Sequence, residues 1–333
     1  MKRKLVTLCL SLALLSSSLT GCTIGNTEIV LNTNYVGRRQ VFSINGEKCT
    51  REEARLYLCN YQNIYGYAFG LNLWEYDQTK LDGGQTLEEY VKDVTLAELA
   101  NIMCMAQLAE QMQITLTETE KNKVSKAADE YYGSLSKEER SYIGIDKSKL
   151  KKYYEKYAVA QKLYNTLTQG VNEEVSDDEA RVIRIQQIFV KSKEKALLVK
   201  EKLENKEKFD SLASTYNEAD VIERNLARGE LPKAVDDVAF HLDDGKTSEM
   251  IVTENGYYFI KCLNKFDEEL TEENKDNIIA KRRKEQFDDK FLEFIENSQF
   301  ELNEKVWEET KVDMSGDIKT NSFFEVYDKY FTE

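Results

Sequence analysis

The sequence predicts an α+β fold, in which helical sequence brackets a small α+β module with an antiparallel sheet. Three observations carry this. Capping boxes, a Ser or Thr followed three residues later by Glu, stand at Thr50 with Glu53, Thr86 with Glu89, Thr117 with Glu120, Ser136 with Glu139 and Ser176 with Glu179. Each satisfies amide groups that a helix start leaves unpaired, so residues 50–170 read as mostly helical. Residues 181–266 change to strand-like runs with a hairpin turn, which implies an antiparallel sheet with helices. From Thr271 the helical period resumes, with Phe287, Phe291, Phe294 and Ile295 on one face.

In chain order, the first segment has the build of a secretory signal. Lys2, Arg3 and Lys4 are basic, Leu5 to Leu15 apolar, and Ser16 to Gly21 a small-residue approach to a cleavage site. The apolar run is too short to span a bilayer, which takes about 20 residues. It ends Leu19-Thr20-Gly21-Cys22, which resembles the lipobox of bacterial lipoproteins. That resemblance implies a signal peptide over residues 1–21, a diacylglyceryl-modified Cys22 as lipidation site, and a tether over 22–35. Two acyl chains anchor stably where one is marginal. Removing residues 1–21 takes away three bases and no acid, so the processed chain is more negative than the −14 of the full sequence. Anionic headgroups would repel such a body, leaving it standing off the membrane on its tether.

Residues 36–178 form the expected N-terminal helical domain. Val41 to Ile44 reads as a strand and Asn45-Gly46 as a turn before the first capped helix. Two long helices follow an Asp82-Gly83-Gly84 loop. One carries Leu87, Val91, Ile102, Met105 and Leu108 at helical spacing, the other Leu150, Tyr153, Tyr154, Tyr157 and Leu163. Tyr57, Tyr61 and Tyr65 line one helix face, either as core or as an adaptable cradle for extended apolar polypeptide. In the α+β domain, 179–267, a strand is expected over 181–190, helices over 194–205, 208–216 and 233–242, and a hairpin of 250–253 with 257–262 around Glu254-Asn255-Gly256. Residues 268–333 complete the plan as a helix and an aromatic tail; Phe323 to Phe331 is too apolar for a loose end, and either packs on the helical domain or marks an interaction patch.

Composition excludes whole classes of chemistry. There is one histidine, His241, and one proline, Pro232, where average usage gives about 5% proline. Two-histidine metal sites and paired-imidazole mechanisms are therefore ruled out, and no metal or cofactor is expected. His241 closes a predicted helix, where the dipole alone explains it. The acidic balance of 60 Asp and Glu against 46 Lys and Arg argues against a nucleic-acid partner, which needs a basic face. Lys281 to Lys284 lies between acidic stretches and reads as a solvated helix face. Cys49, Cys59, Cys104 and Cys262 show no metal-ligand spacing and read as buried free thiols, although a disulfide is open to any of them.

The α+β segment carries a resemblance. Gln187-Ile188-Phe189-Val190, Phe209 with Leu212-Ala213, Arg228-Gly229-Glu230-Leu231, Ala239-Phe240-His241-Leu242 and Thr253 to Lys261 are similar, in order and spacing, to the successive motifs of a parvulin-type peptidyl-prolyl isomerase domain. With helical sequence on both sides and a lipobox ahead, the chain resembles the PrsA and SurA class of extracytoplasmic foldases. The resemblance implies one helical chaperone domain built from the N-terminal helices and a returning C-terminal helix, with the parvulin-like α+β domain inserted, clients that are unfolded secreted polypeptides, and the outer face of a Gram-positive cell membrane. The family's two histidines fall at Gln187 and Tyr258, which would be the catalytic positions. Its catalytic-site Cys or Asp falls near Ala219, between Glu218 and Asp220. Its proline-pocket Met and Phe fall at Leu231 and Val235, and another pocket aliphatic at Glu223. With Leu226 and the matching Thr253, Leu231 and Val235 make the candidate substrate-binding set. Phe240 and Gly256 match as structural residues.

An X-Pro bond faces a barrier of about 18–20 kcal/mol from amide resonance. Lowering it takes no covalent step, only a seat for the ring and a site that favours the twisted amide. Losing the histidines is therefore less damaging than losing the pocket Phe. Gln187 alternates onto the apolar face with Ile183, Ile185 and Phe189, so it needs a polar partner, and the Tyr258 hydroxyl is the expected one. The favoured reading is a membrane-anchored foldase with a degenerate parvulin domain. The alternatives are an active peptidyl-prolyl isomerase and a solute-binding lipoprotein. The latter is disfavoured because two repeated α/β lobes are missing.

Overall fold

The computed structural model describes residues 23–24, 27–28, 39–69, 86–313 and 315–332. The signal segment, Cys22 and most of the tether lie outside the described residues. The chain divides into two compact units: residues up to 169 with 286–333, and residues 170–285.

In the first unit, two short strands, β1 (Thr23–Ile24) and β2 (Thr27–Glu28), pair antiparallel. Strands β3 (Gln40–Ile44) and β4 (Glu47–Thr50) form a hairpin through Asn45-Gly46. Both turn residues have positive φ, 51° and 84°, the mirror-image turn that matches strand twist and that Asn-Gly favours. Helix α1 (Arg51–Phe69) follows, then α2 (Leu87–Gln111), α3 (Glu118–Ser134), α4 (Lys137–Ile143) and α5 (Lys147–Leu167). The boxes at Thr86, Thr117 and Ser136 form in both directions, whereas Ser176 caps only a four-residue turn, α6 (Asp177–Ala180).

The second unit holds β5 (Val182–Val190), α7 (Lys193–Glu204), α8 (Phe209–Tyr216), β6 (Glu223–Ala227), α9 (Lys233–Ala239), β7 (Ile251–Thr253) and β8 (Gly256–Asn264). The strands make one antiparallel sheet in the order β6-β5-β8-β7. Strand alternation gives the sheet two cores. Ile183, Ile185, Leu226 and Ile260 meet α9, and Ile188, Val190 and Phe259 meet α7 and α8. Strand β6 lies at the sheet edge and was not expected from the sequence, because only Leu226 among its residues is fully buried.

Helix α10 (Glu268–Glu296) contributes residues to both units. The second unit includes the linker after residue 169, which its charges tie down. Arg282 donates to the carbonyls of Asn172 at 2.7 Å and Glu174 at 3.0 Å and pairs with Glu179, while Lys275 pairs with Asp177. The basic run is thus in part a clamp and not only a solvated face. Beyond α10, β9 (Phe300–Leu302) adds to β3 in the first unit, followed by α11 (Glu304–Glu308) and α12 (Phe323–Phe331).

The tyrosine stripe resolves as packing. Tyr57 is 1% exposed, and Tyr61 meets Phe324 with ring centroids 5.2 Å apart. The aromatic C-terminus supplies the other half of this core, with Phe323 fully buried. All four cysteines of the body are buried and free. Burial pushes the Cys59 and Cys104 thiols up to about 12, which leaves them protonated and poor nucleophiles.

Candidate substrate-binding face

The face of the four-stranded sheet that meets α9 carries the residues at the positions that the resemblance marks as catalytic. On β5, Gln187 is 3% exposed and stands opposite Ile260 of β8, while Phe189 stands opposite Tyr258. Gln187 and Tyr258 do not pair. The Gln187 amide donates from Nε2 to the Val221 carbonyl at 2.9 Å, and its Oε1 is buried without a partner. Tyr258 instead packs its ring against Phe189 with centroids 4.7 Å apart. The expected hydrogen bond loses to a nearer acceptor, because residues 217–222 run back along β5.

Asn217 organises that run. Its Oδ1 accepts from the Phe189 amide at 2.9 Å and its Nδ2 donates to the carbonyls of Ala219 and Val221. The Glu218 amide donates to the Phe189 carbonyl, and the Gln187 amide to that of Ile222. Glu218, beside the position of the family's Cys or Asp, accepts from the Lys191 amide and pairs with Lys195. The hydrogen bond from Lys195 holds its carboxyl below the usual range, so it is an ionised structural anchor and no acid catalyst. Asn217 was not singled out from sequence, although an Asn just past a helix end is a recognisable signal for local backbone bonding.

The candidate pocket residues separate into two groups. Leu226 and Val235 have no exposed surface and belong to the core, whereas Leu231 and Thr253 remain partly accessible. Thr253 donates its hydroxyl to the Gly256 carbonyl at 2.9 Å, closing the β7-β8 turn. Gly256 has φ +149°, and a Cβ there would lie 2.6 Å from the Val190 carbonyl oxygen and 2.7 Å from the Phe189 ring. Glycine is what lets the Phe189 ring reach Tyr258. Leu231 precedes Pro232 and α9, and the Gly229 amide is held by Asp236 of that helix. Phe240 is buried under the guanidinium of Arg228 at 4.4 Å and of Arg181 at 5.4 Å, a structural place in keeping with its match as a core residue.

Arg224 pairs with Glu230 and bears electrostatically on Tyr258. Partial burial raises the Tyr258 hydroxyl above its ordinary value, and Arg224 opposes the rise. The phenol therefore stays a neutral donor. His241 is exposed, its Nδ1 2.6 Å from the Asp237 carbonyl. Phe189, Tyr258, Leu231 and Thr253 remain partly accessible, with Leu231 and Tyr258 packed against the core that meets α9. Together they can hold an apolar or aromatic side chain and donate a hydrogen bond to a peptide carbonyl.

Residues 145–276 match the family model described as the PPIC-type PPIase domain. Among proteins of known name, the chain is 28% identical over 151 residues to foldase protein PrsA 3 of Bacillus anthracis, covering 41% of this chain and 53% of that protein. It therefore spans about half the length of that relative. It is 22% identical over 345 residues to foldase protein PrsA of Clostridium botulinum, covering 91% of this chain and 98% of that one. The crystal structure of the peptidyl-prolyl isomerase PrsA from Bacillus cereus is similar over 72% of this chain and 90% of that one, at 20% identity and a TM-score of 0.36. The domain match covers the four-stranded sheet, and the chain carries a PPIC-type PPIase domain and is similar along most of its length to PrsA foldases.

Proposed function

We propose that this protein is an extracytoplasmic foldase that binds unfolded or newly secreted polypeptides, anchored to the membrane through lipid on Cys22, with a parvulin-type domain that binds chain and has lost most of its prolyl isomerase activity. One observation carries the last part: Val235 and Leu226 are sealed in the core, so neither offers a surface to a prolyl ring beside Leu231. Differential binding of a twisted prolyl bond begins with holding that ring. The anchor rests on the signal-like residues 2–21 and Cys22. Among the described residues no helix is long and apolar enough to cross a membrane.

The test sets a proline-peptide isomerisation assay beside suppression of aggregation of an unfolded client. Aggregation suppression with isomerisation near the uncatalysed rate is expected, as is weaker client binding for Leu231→Ala. Strong isomerisation abolished by Leu231→Ala would establish the active enzyme instead. Metabolic labelling with a fatty acid, lost in Cys22→Ala, tests the anchor.

A further inference from the structure

The residues between α11 and α12 have little regular structure, yet side chains of the helices bind their backbone at several points. Gln62 of α1 donates to the Asp313 carbonyl and accepts from the Asp313 amide at 2.8 Å. Asn63 donates to the Thr320 carbonyl at 2.8 Å, and Asn60 accepts from the Phe323 amide at 3.0 Å. Glu139 of α4 accepts from the amides of Lys319 and Thr320, and the Tyr154 hydroxyl donates to the Phe323 carbonyl. These side chains from α1, α4 and α5 read main-chain groups, which every polypeptide carries. The side-chain element they add is a ring site. Phe323 stacks on Tyr154 with centroids 4.2 Å apart and meets Tyr57, Tyr131 and Tyr157 at 5.2 to 6.0 Å.

We propose that residues 311–313 and 315–332 are a tethered ligand of this cleft, and that the cleft takes, in competition with them, a polypeptide segment bearing adjacent aromatic residues. This rests on the foldase reading for its biological client, but the binding itself does not. Main-chain recognition by side-chain amides tolerates any sequence, and the tyrosine cage selects for an aromatic ring. Phe323-Phe324 meets both requirements from within the chain. A covalently attached segment acts at an effective concentration of about millimolar, so an outside chain gains access only when the tail leaves. The tail would thus keep an aromatic cleft covered until a client of the right chemistry displaces it.

The test uses the full chain with a specific protease site replacing the exposed residues 315–317. The probe is a labelled short peptide of unrelated sequence carrying Phe-Phe, with its Ala-Ala counterpart as control. Fluorescence anisotropy should show the cut chain binding the Phe-Phe peptide at least about tenfold tighter than the intact chain, with the Ala-Ala peptide unbound and the helical circular dichroism retained. A Gln62→Ala, Asn63→Ala chain, uncut, should also gain affinity, because it loosens the tail without touching Phe323. Equal affinity in cut and intact chains, a cut chain that never exchanges its tail, or loss of helix on cutting would each overturn the proposal. The foldase reading falls separately, if the intact chain fails to suppress client aggregation.

Discussion

Gly256→Ala measures how tightly the candidate face is built. The added Cβ would meet the Val190 carbonyl oxygen at 2.6 Å and the Phe189 ring at 2.7 Å, at φ +149°. Neither neighbour yields easily, since one is backbone in the central ladder and the other is packed against Tyr258. A residue forced into a sparsely populated conformation costs about 1–3 kcal/mol, and overpacking about 1–3 kcal/mol more. The sum is about 4 kcal/mol. Gly229→Ala is the control: its φ is +83°, and nothing lies within 4 Å of a Cβ there. It carries conformational strain alone, about 1–2 kcal/mol. Hydrogen exchange read by mass spectrometry on peptides spanning Gly256–Asn264 follows local opening. With tenfold for each 1.4 kcal/mol, Gly256→Ala should lower protection by about a thousandfold and Gly229→Ala by about tenfold. Equal losses in the two variants would show that no collision exists and that Phe189 is not held against Gly256.

Gln187→Met should be neutral or stabilising by about 1 kcal/mol in urea denaturation. It removes a buried oxygen that has no partner, and the Val221 carbonyl keeps its bond from Asn217; a clear loss of stability would reveal an unrecognised partner. Burial, with Glu325 adding to it, raises Asp328 to about 6 from 3.8. The folded state therefore holds a proton that the unfolded chain releases across that window, so stability falls as pH rises from about 4 to 6. Asp328→Asn should raise stability by about 1–2 kcal/mol at pH 7.5, an advantage shrinking toward pH 4; a gain independent of pH would refute the assignment. Arg282→Ala frees the carbonyls of Asn172 and Glu174, and limited proteolysis between residues 170 and 176 should quicken by about tenfold. Unchanged cleavage would show that the clamp is unimportant.

What could be read from the sequence was local. The Asn45-Gly46 turn and the capping boxes at Thr86, Thr117 and Ser136 depend on residues within four positions of one another, and they form as expected. Strand β5 and the β7-β8 hairpin carry their own alternation. Strand β6 was missed because an edge strand with polar Glu223, Arg224 and Asn225 leaves almost no apolar pattern. The contacts of the candidate site residues were not legible. The partner of Gln187 is the carbonyl of Val221, supplied by a loop whose path Asn217 fixes, and nothing in the alternation of β5 announces it. Whether Val235 opens to a ligand or closes into the core depends on Ile251 and Ile260 from other strands. The tyrosine stripe shows the same limit: periodicity identified the face, while its occupant comes from the far end of the chain.

That occupant also sets an order of assembly. Strands β5 to β8 draw every partner from within one continuous stretch, so the inserted unit can close as soon as that stretch is available. The helical unit cannot: β3 must wait for β9, and Asn60 meets the Phe323 amide 263 positions later. Non-local pairing of this kind is slow, because loop closure comes before any contact rewards it. A chain emerging from its N-terminus would hold α1 to α5 with a bare aromatic interior until the final residues arrive. During that interval the protein is itself an unfolded client, with the same tyrosine-lined surface exposed that its completed form keeps covered.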